Sequence, residues 1–204
     1  ISSIGGIHDT RFNPLGESVE LLDRIKADDF PVIDPTAKEA MQAKILEAKA
    51  DADSVGGSIE CIVTGLPIGI GDPMFGGLEN VISSAVFAVP AIKGIEFGNG
   101  FACAELRGSE NNDPYYYAED GSIRTSTNNH GGILGGISSG MPLLFRVAVK
   151  PTPSIGKEQQ SISFSERKDA PLVIHGRHDP CILPRAVPCI EAVTAIALAD
   201  LLIK

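Results

Sequence analysis

An α+β fold is what this sequence predicts, on three observations: helical periodicities spread along the chain, short β-branched segments between them, and hairpin-type turn signals where a doubly wound sheet would alternate strand and helix. The first helix is expected over residues 17–28. There Val19, Leu21, Leu22 and Ile25 recur at helical spacing after the loop residues Pro14 and Gly16. A second covers residues 36–52, with Asp34 placed to cap it and Pro35 in its first turn. Met41, Ile45 and Ala48 give that helix a narrow apolar stripe, so the rest of its surface is expected in water.

Residues 58–64 alternate partly and are rich in β-branched side chains, which reads as a strand. Five glycines and two prolines over residues 65–77 make a loop. An almost wholly apolar helix over residues 78–91 follows, with Val81, Ile82, Ala85, Val86 and Val89, as for an element buried on more than one side; Pro90 bends or ends it. Residues 94–98 and 101–106 read as short strands joined through Asn99-Gly100, a strong hairpin signal. Residues 107–124, with Tyr115-Tyr116-Tyr117, form a polar, exposed excursion. Residues 143–149 and 161–164 are further strands. Residues 188–203 make a closing helix with Ile190, Val193, Ile196, Ala197 and Leu201 inward.

With 204 residues, 43% of them apolar, the chain can bury a sizeable core, as one domain or two small ones. Its 26 acidic and 17 basic residues give a net charge of −9, which argues against the broad phosphate attraction of nucleic-acid binders. Cys61, Cys103, Cys181 and Cys189 lack metal-ligand spacing and are expected reduced, in the cytosol. The longest apolar runs fall well short of the ~20 residues of a membrane span, and no charged-then-apolar leader opens the chain. A soluble protein without metal, membrane or nucleic-acid partner is expected. The opening Ile1-Ser2-Ser3-Ile4 has no methionine, which points to a removed upstream segment.

Chemistry concentrates in three segments. Residues 131–140 hold five glycines, each costing about 1 kcal/mol against Ala in a helix, so their benefit lies in close backbone approach to a neighbour or to a ligand. Their spacing matches neither the dinucleotide fingerprint nor the phosphate loop. Lys150-Pro151-Thr152-Pro153-Ser154 sets one cation and two hydroxyls on a proline-stiffened turn, able to hold a phosphate or the polar edge of a flavin, or simply a surface turn. Gly176-Arg177-His178-Asp179-Pro180-Cys181, with Arg185 close behind, offers an anion clamp and proton carriers, or a local Arg–Asp salt bridge.

In this order the segments resemble the chorismate synthase family. The similarity runs from Ile4 to the chain end. It rests on Asn129-His130-Gly131-Gly132-Ile133-Leu134-Gly135-Gly136-Ile137-Ser138-Ser139-Gly140, the Lys150 turn, the Gly176 to Cys181 segment through Arg185-Ala186-Val187-Pro188, and Ala91-Ile92-Lys93-Gly94-Ile95-Glu96-Phe97-Gly98. The resemblance implies antiparallel β-sheets sandwiched with α-helices, a homotetramer, and the chain as the C-terminal part of a single domain. It implies a cytoplasmic enzyme of aromatic amino-acid biosynthesis. That enzyme eliminates phosphate from 5-enolpyruvylshikimate 3-phosphate in the 1,4-anti sense to give chorismate.

Reduced FMN is needed, with NADPH as reductant only in bifunctional members; the cofactor carries the hard chemistry. Carried over residue by residue, Pro90, Ala91, Gly135, Lys150, Pro151, Thr152, Pro153, Ser154 and Arg177 contact FMN, and Arg177 also reaches the anionic substrate. Some relatives have Asn in place of Pro90. Asp179 helps take the proton released during turnover, and His130 has no proton-transfer role. The family's Gly-Glu-Ser-His-Gly and Gly-His-Ala-Asp motifs and its Arg-Glu-Thr segment are absent, so the fragment alone is expected to be inactive; Gly16-Glu17-Ser18 continues with Val19 and does not complete the first. A non-enzymatic flavin- or anion-binding module and a structural oligomerisation domain are the alternatives.

Overall fold

The computed structural model describes residues 1–13, 15–16 and 19–203. The roles expected of Pro14, of residues 17 and 18 and of the Val19 side chain lie outside the described residues. The strands and helices, in chain order, are β1 (Ser3–Ile4), β2 (Ile7–His8), α1 (Val19–Lys26), α2 (Pro35–Ala50), β3 (Gly57–Val63) and α3 (Leu78–Phe87). Then come β4 (Ile92–Phe97), a 3₁₀ turn at Gly100–Glu105, α4 (Gly108–Asn111), β5 (Tyr115–Tyr117) and β6 (Ile123–Thr125). The series ends with β7 (Ile133–Leu134), β8 (Ile137–Ser138), β9 (Leu143–Val149), β10 (Gln159–Ser163), β11 (Lys168–Leu172) and α5 (Leu183–Ile203). Hairpins, helices and an antiparallel sheet make the class α+β, as the sequence predicts.

Five antiparallel strands in the order β2-β1-β3-β9-β4 form the main sheet. The β3–β9 register sets Ile59 opposite Val147 and Cys61 opposite Phe145, and period-2 alternation puts these four on one face. All four are buried there with α3 and α5, which pack on each other and on β4 and β3. Phe97 adds its ring to Phe145, 5.7 Å between centroids. Burial in this layer pushes the Cys61 thiol up to about 12, so it stays a neutral core residue. The other face carries charge: Arg146 on β9 lies opposite Glu60 on β3 and Glu96 on β4.

The cap on α2 forms as expected, with Asp34 Oδ1 accepting from the Thr36 N–H at 2.8 Å, and Met41 and Ala48 are buried. Several expectations are corrected. Residues 101–106 are not a strand, and Asn99-Gly100 does not close a hairpin. Instead β4 pairs with the distant β9, and the left-handed Gly98 and Gly100 (both φ +55°) turn the chain into the 3₁₀ segment. α3 ends at Phe87, before Pro90, and buries one stripe, Leu78, Ile82 and Val86, where burial on more than one side was expected. β11 pairs with β10 although Pro171 and its charged neighbours disguise it as loop. The Tyr115–Tyr117 excursion is exposed as expected, yet it pairs with Ile123–Thr125 as a hairpin.

α5 begins at Leu183, five residues earlier than expected, and carries Pro188 inside it. Its inward stripe is Leu183, Ile190, Thr194, Ala197 and Leu198. Ile196 was expected inward but lies about 200° round the helix from Thr194 and is 69% exposed. By length and composition α5 is also long and apolar enough to cross a membrane, contrary to the reading of the apolar runs, which Glu191 and Asp200 interrupt. Its packing on β3 and α3 makes one side of it part of the core.

Candidate ligand-binding site

The glycine-rich segment is a hairpin. β7 and β8 are joined by Gly135-Gly136, both left-handed at φ +60° and +84°, the backbone a two-residue type I′ loop requires. Most of its glycines are packing devices. A Cβ on Gly131 would stand 2.4 Å from the Gly98 nitrogen and 2.6 Å from the Leu144 oxygen, and one on Gly132 would meet the Pro142 oxygen at 2.6 Å. Gly135 is the exception: it is exposed at the tip, with open space where a Cβ would be. The tip is anchored by the Gly136 carbonyl, which accepts from the Leu78 N–H at 2.8 Å, so it sits at the N-terminus of α3.

Asp113 ties the root of this hairpin. Its carboxylate accepts from Thr127 Oγ1 at 2.7 Å and from the Asn129 and His130 N–H groups, and lies 2.9 Å from His130 Nδ1. Burial alone would push the Asp113 carboxyl up; the hydrogen bonds from Thr127, Asn129 and His130 outweigh it and hold the group below its ordinary value. His130 is therefore tied to the hairpin root through both its backbone and its ring.

The other predicted residues form a separate rim. The Lys150 N–H donates to the Ala91 carbonyl at 3.0 Å, joining the Lys150 turn to the Pro90-Ala91 pair. Ala91 is left-handed at φ +73°, a strained position for a residue with a side chain. Ser54 Oγ donates to the Thr152 carbonyl at 2.7 Å, and the Val55 N–H next to it donates to the Pro180 carbonyl at 2.8 Å. The loop at residues 53–55 thus bridges the Lys150 turn and the Arg177 segment. Asp179 pairs with Arg185 and accepts from the Cys181 N–H, so the bland local salt bridge does form. His178 Nε2 lies 2.8 Å from the Ile174 carbonyl. Lys150 and Arg177 are exposed, pointing cations at solvent across the rim.

Two features ask for a ligand, one on the rim and one at the hairpin tip. Thr152 Oγ1 is buried without a hydrogen-bond partner among the described residues, a costly state for a hydroxyl unless something supplies the bond. Gly135 keeps its open space. The chain does not, however, bring Gly135 to the rim, because α3 separates them: the tip is at its first residue and Pro90-Ala91 lies beyond its last, roughly 15 Å apart along a ten-residue helix. A ligand touching both must lie along α3.

Sequence reasoning missed Ser54 and Val55, which nothing in composition distinguishes from other loop residues. It also missed the charges on the sheet's second face. Arg146 Nε donates to Glu96 Oε1 at 2.7 Å, and Nη1 lies 3.6 Å from Glu60 Oε2. Burial raises the Glu60 carboxyl, opposed by the Phe12 N–H and by Arg146. Single charges inside apolar strands were the signal; the register that pairs them was not readable. Clefts of about 340 and 420 Å³ open elsewhere, the second lined by His8, Arg11, Glu96 and Arg146; neither takes in any predicted site residue.

The family model described as chorismate synthase matches residues 1–203. A chorismate synthase of Dehalococcoides mccartyi is 50% identical over 185 residues, covering 91% of this chain and 50% of that protein. One of Methanosarcina acetivorans is 45% identical over 204 residues, all of this chain and 54% of that protein. A crystal structure of chorismate synthase superposes with a TM-score of 0.71 at 29% identity, over 89% of this chain and 47% of that one. The chain spans about half the length of the curated relatives it matches. Together with the hairpin and the rim, these matches place the chain in the chorismate synthase family.

Proposed function

We propose that the protein to which this chain belongs is a chorismate synthase, a lyase that eliminates phosphate from 5-enolpyruvylshikimate 3-phosphate to form chorismate with reduced FMN. The observation that carries the reading is the family match over residues 1–203; the hydrogen bonds that join the Lys150 turn to Ala91 and, through Ser54 and Val55, to the Arg177 segment support it. The unpartnered Thr152 hydroxyl and the open space at Gly135 fit a planar polar cofactor lying along α3. Pro90, Ala91, Gly135, Lys150, Pro151, Thr152, Pro153, Ser154 and Arg177 would hold it. Reduced flavin supplies electron density that helps expel phosphate.

The chain's own residues then have plain tasks. Lys150 and Arg177 attract and orient anionic groups, and two prolines keep the turn that carries Lys150 stiff, so little ordering is needed on binding. Asp179 accepts a proton, its carboxylate fixed by Arg185 and the Cys181 N–H. Residues outside this chain complete the substrate phosphate site, so the chain alone is inactive. A cytoplasmic homotetramer belongs to the same reading.

Full-length protein given reduced FMN and 5-enolpyruvylshikimate 3-phosphate should release chorismate, and Asp179→Ala should slow it by about a hundredfold or more. Absence of chorismate from the wild type sinks the reading; full activity in the variant removes Asp179 from it.

A further inference from the structure

We infer that Ser54 is a positioning residue of the flavin site, with Val55 as its companion: the loop they occupy is a clip that sets the Lys150 turn and the Arg177 segment at a fixed spacing. The inference rests on the reading of that rim as the FMN site. Ser54 lies 98 residues from the turn it grips, and its hydroxyl donates to the Thr152 carbonyl, on the residue whose own hydroxyl is buried and unpartnered. One residue on, the Val55 N–H takes the Pro180 carbonyl, next to Asp179.

The clip is seated firmly. The Ala52 carbonyl accepts from both the Gly156 and Lys157 N–H groups at 3.1 Å, just past the turn. Lys157 pairs with Asp51 and Asp53. Gly56 lets the loop press against the far strand: a Cβ there would stand 2.5 Å from the Val149 oxygen and 2.9 Å from the Pro151 Cδ. Contacts therefore hold residues 149–157 from both sides of Ser54; at the middle of the turn the Ser54 hydroxyl takes the Thr152 carbonyl at 2.7 Å, and Gln159 Nε2 adds a longer bond to the Pro153 carbonyl at 3.4 Å.

Among the described residues neither Lys150 nor Arg177 forms a salt bridge, so the backbone beneath them sets their direction. A hydrogen bond to that backbone controls where the Thr152 hydroxyl and the Lys150 cation point without touching the ligand. Loss of the Ser54 hydroxyl removes the shorter of the two bonds at the centre of the turn and loosens it while its ends stay anchored. The expected consequence is weaker flavin binding with the fold preserved.

The test uses the full-length protein and oxidised FMN, with affinity read from quenching of flavin fluorescence. Ser54→Ala should raise the FMN Kd by about five- to tenfold. Ser54→Thr, which keeps the donor, should return it to within about twofold of wild type. Ser58→Ala is the control: Ser58 also bonds through its hydroxyl, but to the Ser2 and Ser3 hydroxyls and not to the Lys150 turn. It should lower the melting temperature comparably and leave the Kd unchanged. An unaltered Kd in Ser54→Ala, or equal weakening in Ser58→Ala, overturns the inference. A wild-type protein that binds no FMN overturns the reading of the site beneath it, a pattern distinct from either.

Discussion

The glycine hairpin and the Lys150 rim carry neighbouring stretches of one chain, yet they are held in opposite ways. The hairpin is locked by its backbone: Gly98, Gly131 and Gly132 lie where any side chain would strike a carbonyl or amide, and Asp113 gathers hydrogen bonds from Thr127, Asn129 and His130 at the root. The rim is held by a few bonds to a loop and leaves its cations in water. Only Gly135, at the hairpin's open tip, shares the character of the rim. A glycine-rich signature thus contains two kinds of glycine, those that let backbone meet backbone and one that leaves room for something else.

Substitution at Gly98 should break the locked region hardest. Its left-handed backbone and the Asn129 carbonyl and Gly131 amide where a Cβ would go predict that Gly98→Ala costs about 3–4 kcal/mol, from strain and overpacking together. Urea unfolding of the full-length protein measures it; a cost below about 1 kcal/mol would mean the hairpin root is loose. Gly135→Ala sharpens the contrast. It meets no atom, so only the left-handed penalty of about 1–2 kcal/mol applies, and Asn, which tolerates that conformation, should cost less. If Gly135→Asn restores stability and still weakens FMN binding, the open space at the tip is where ligand comes.

The smallest effect concerns acid. The folded Asp113 carboxyl lies below its ordinary value of 3.8, so its contribution is complete above that value and is lost as pH falls through 3.8 toward the folded one. Asp113→Asn should therefore be less stable than wild type at neutral pH, with the gap closing in acid below 3.8 as the wild type loses its charge. A gap of the same size at pH 7 and in acid would show that the hydrogen bonds, and not the charge, hold the hairpin root.

Much of this was legible in the chain itself. The Asp34 cap with Pro35, the Met41 and Ala48 stripe and the β9 strand follow from local rules, because caps, period and propensity are decided within a few residues. The family's signature segments were legible too, and their residues fall at the hairpin and the rim. The failures share one cause. Residues 101–106 read as a strand because Asn99-Gly100 is a good hairpin turn, but β4 pairs with the distant β9, where Glu96 lies opposite Arg146, and register cannot be read from one side of a pair. β11 was missed because Pro171 is a poor strand residue that an edge position tolerates.

What the sequence by itself determined is the class of fold, the placing of most helices and the family's signature segments, since each depends on residues close together in the chain. Only the tertiary structure decided which glycines face backbone and which face space, that Glu60 and Glu96 meet Arg146, and that Ser54 grips Thr152 across 98 residues. Those contacts arise from strand register and helix docking, which are set by burying the apolar faces of distant elements against one another, and no local pattern encodes them.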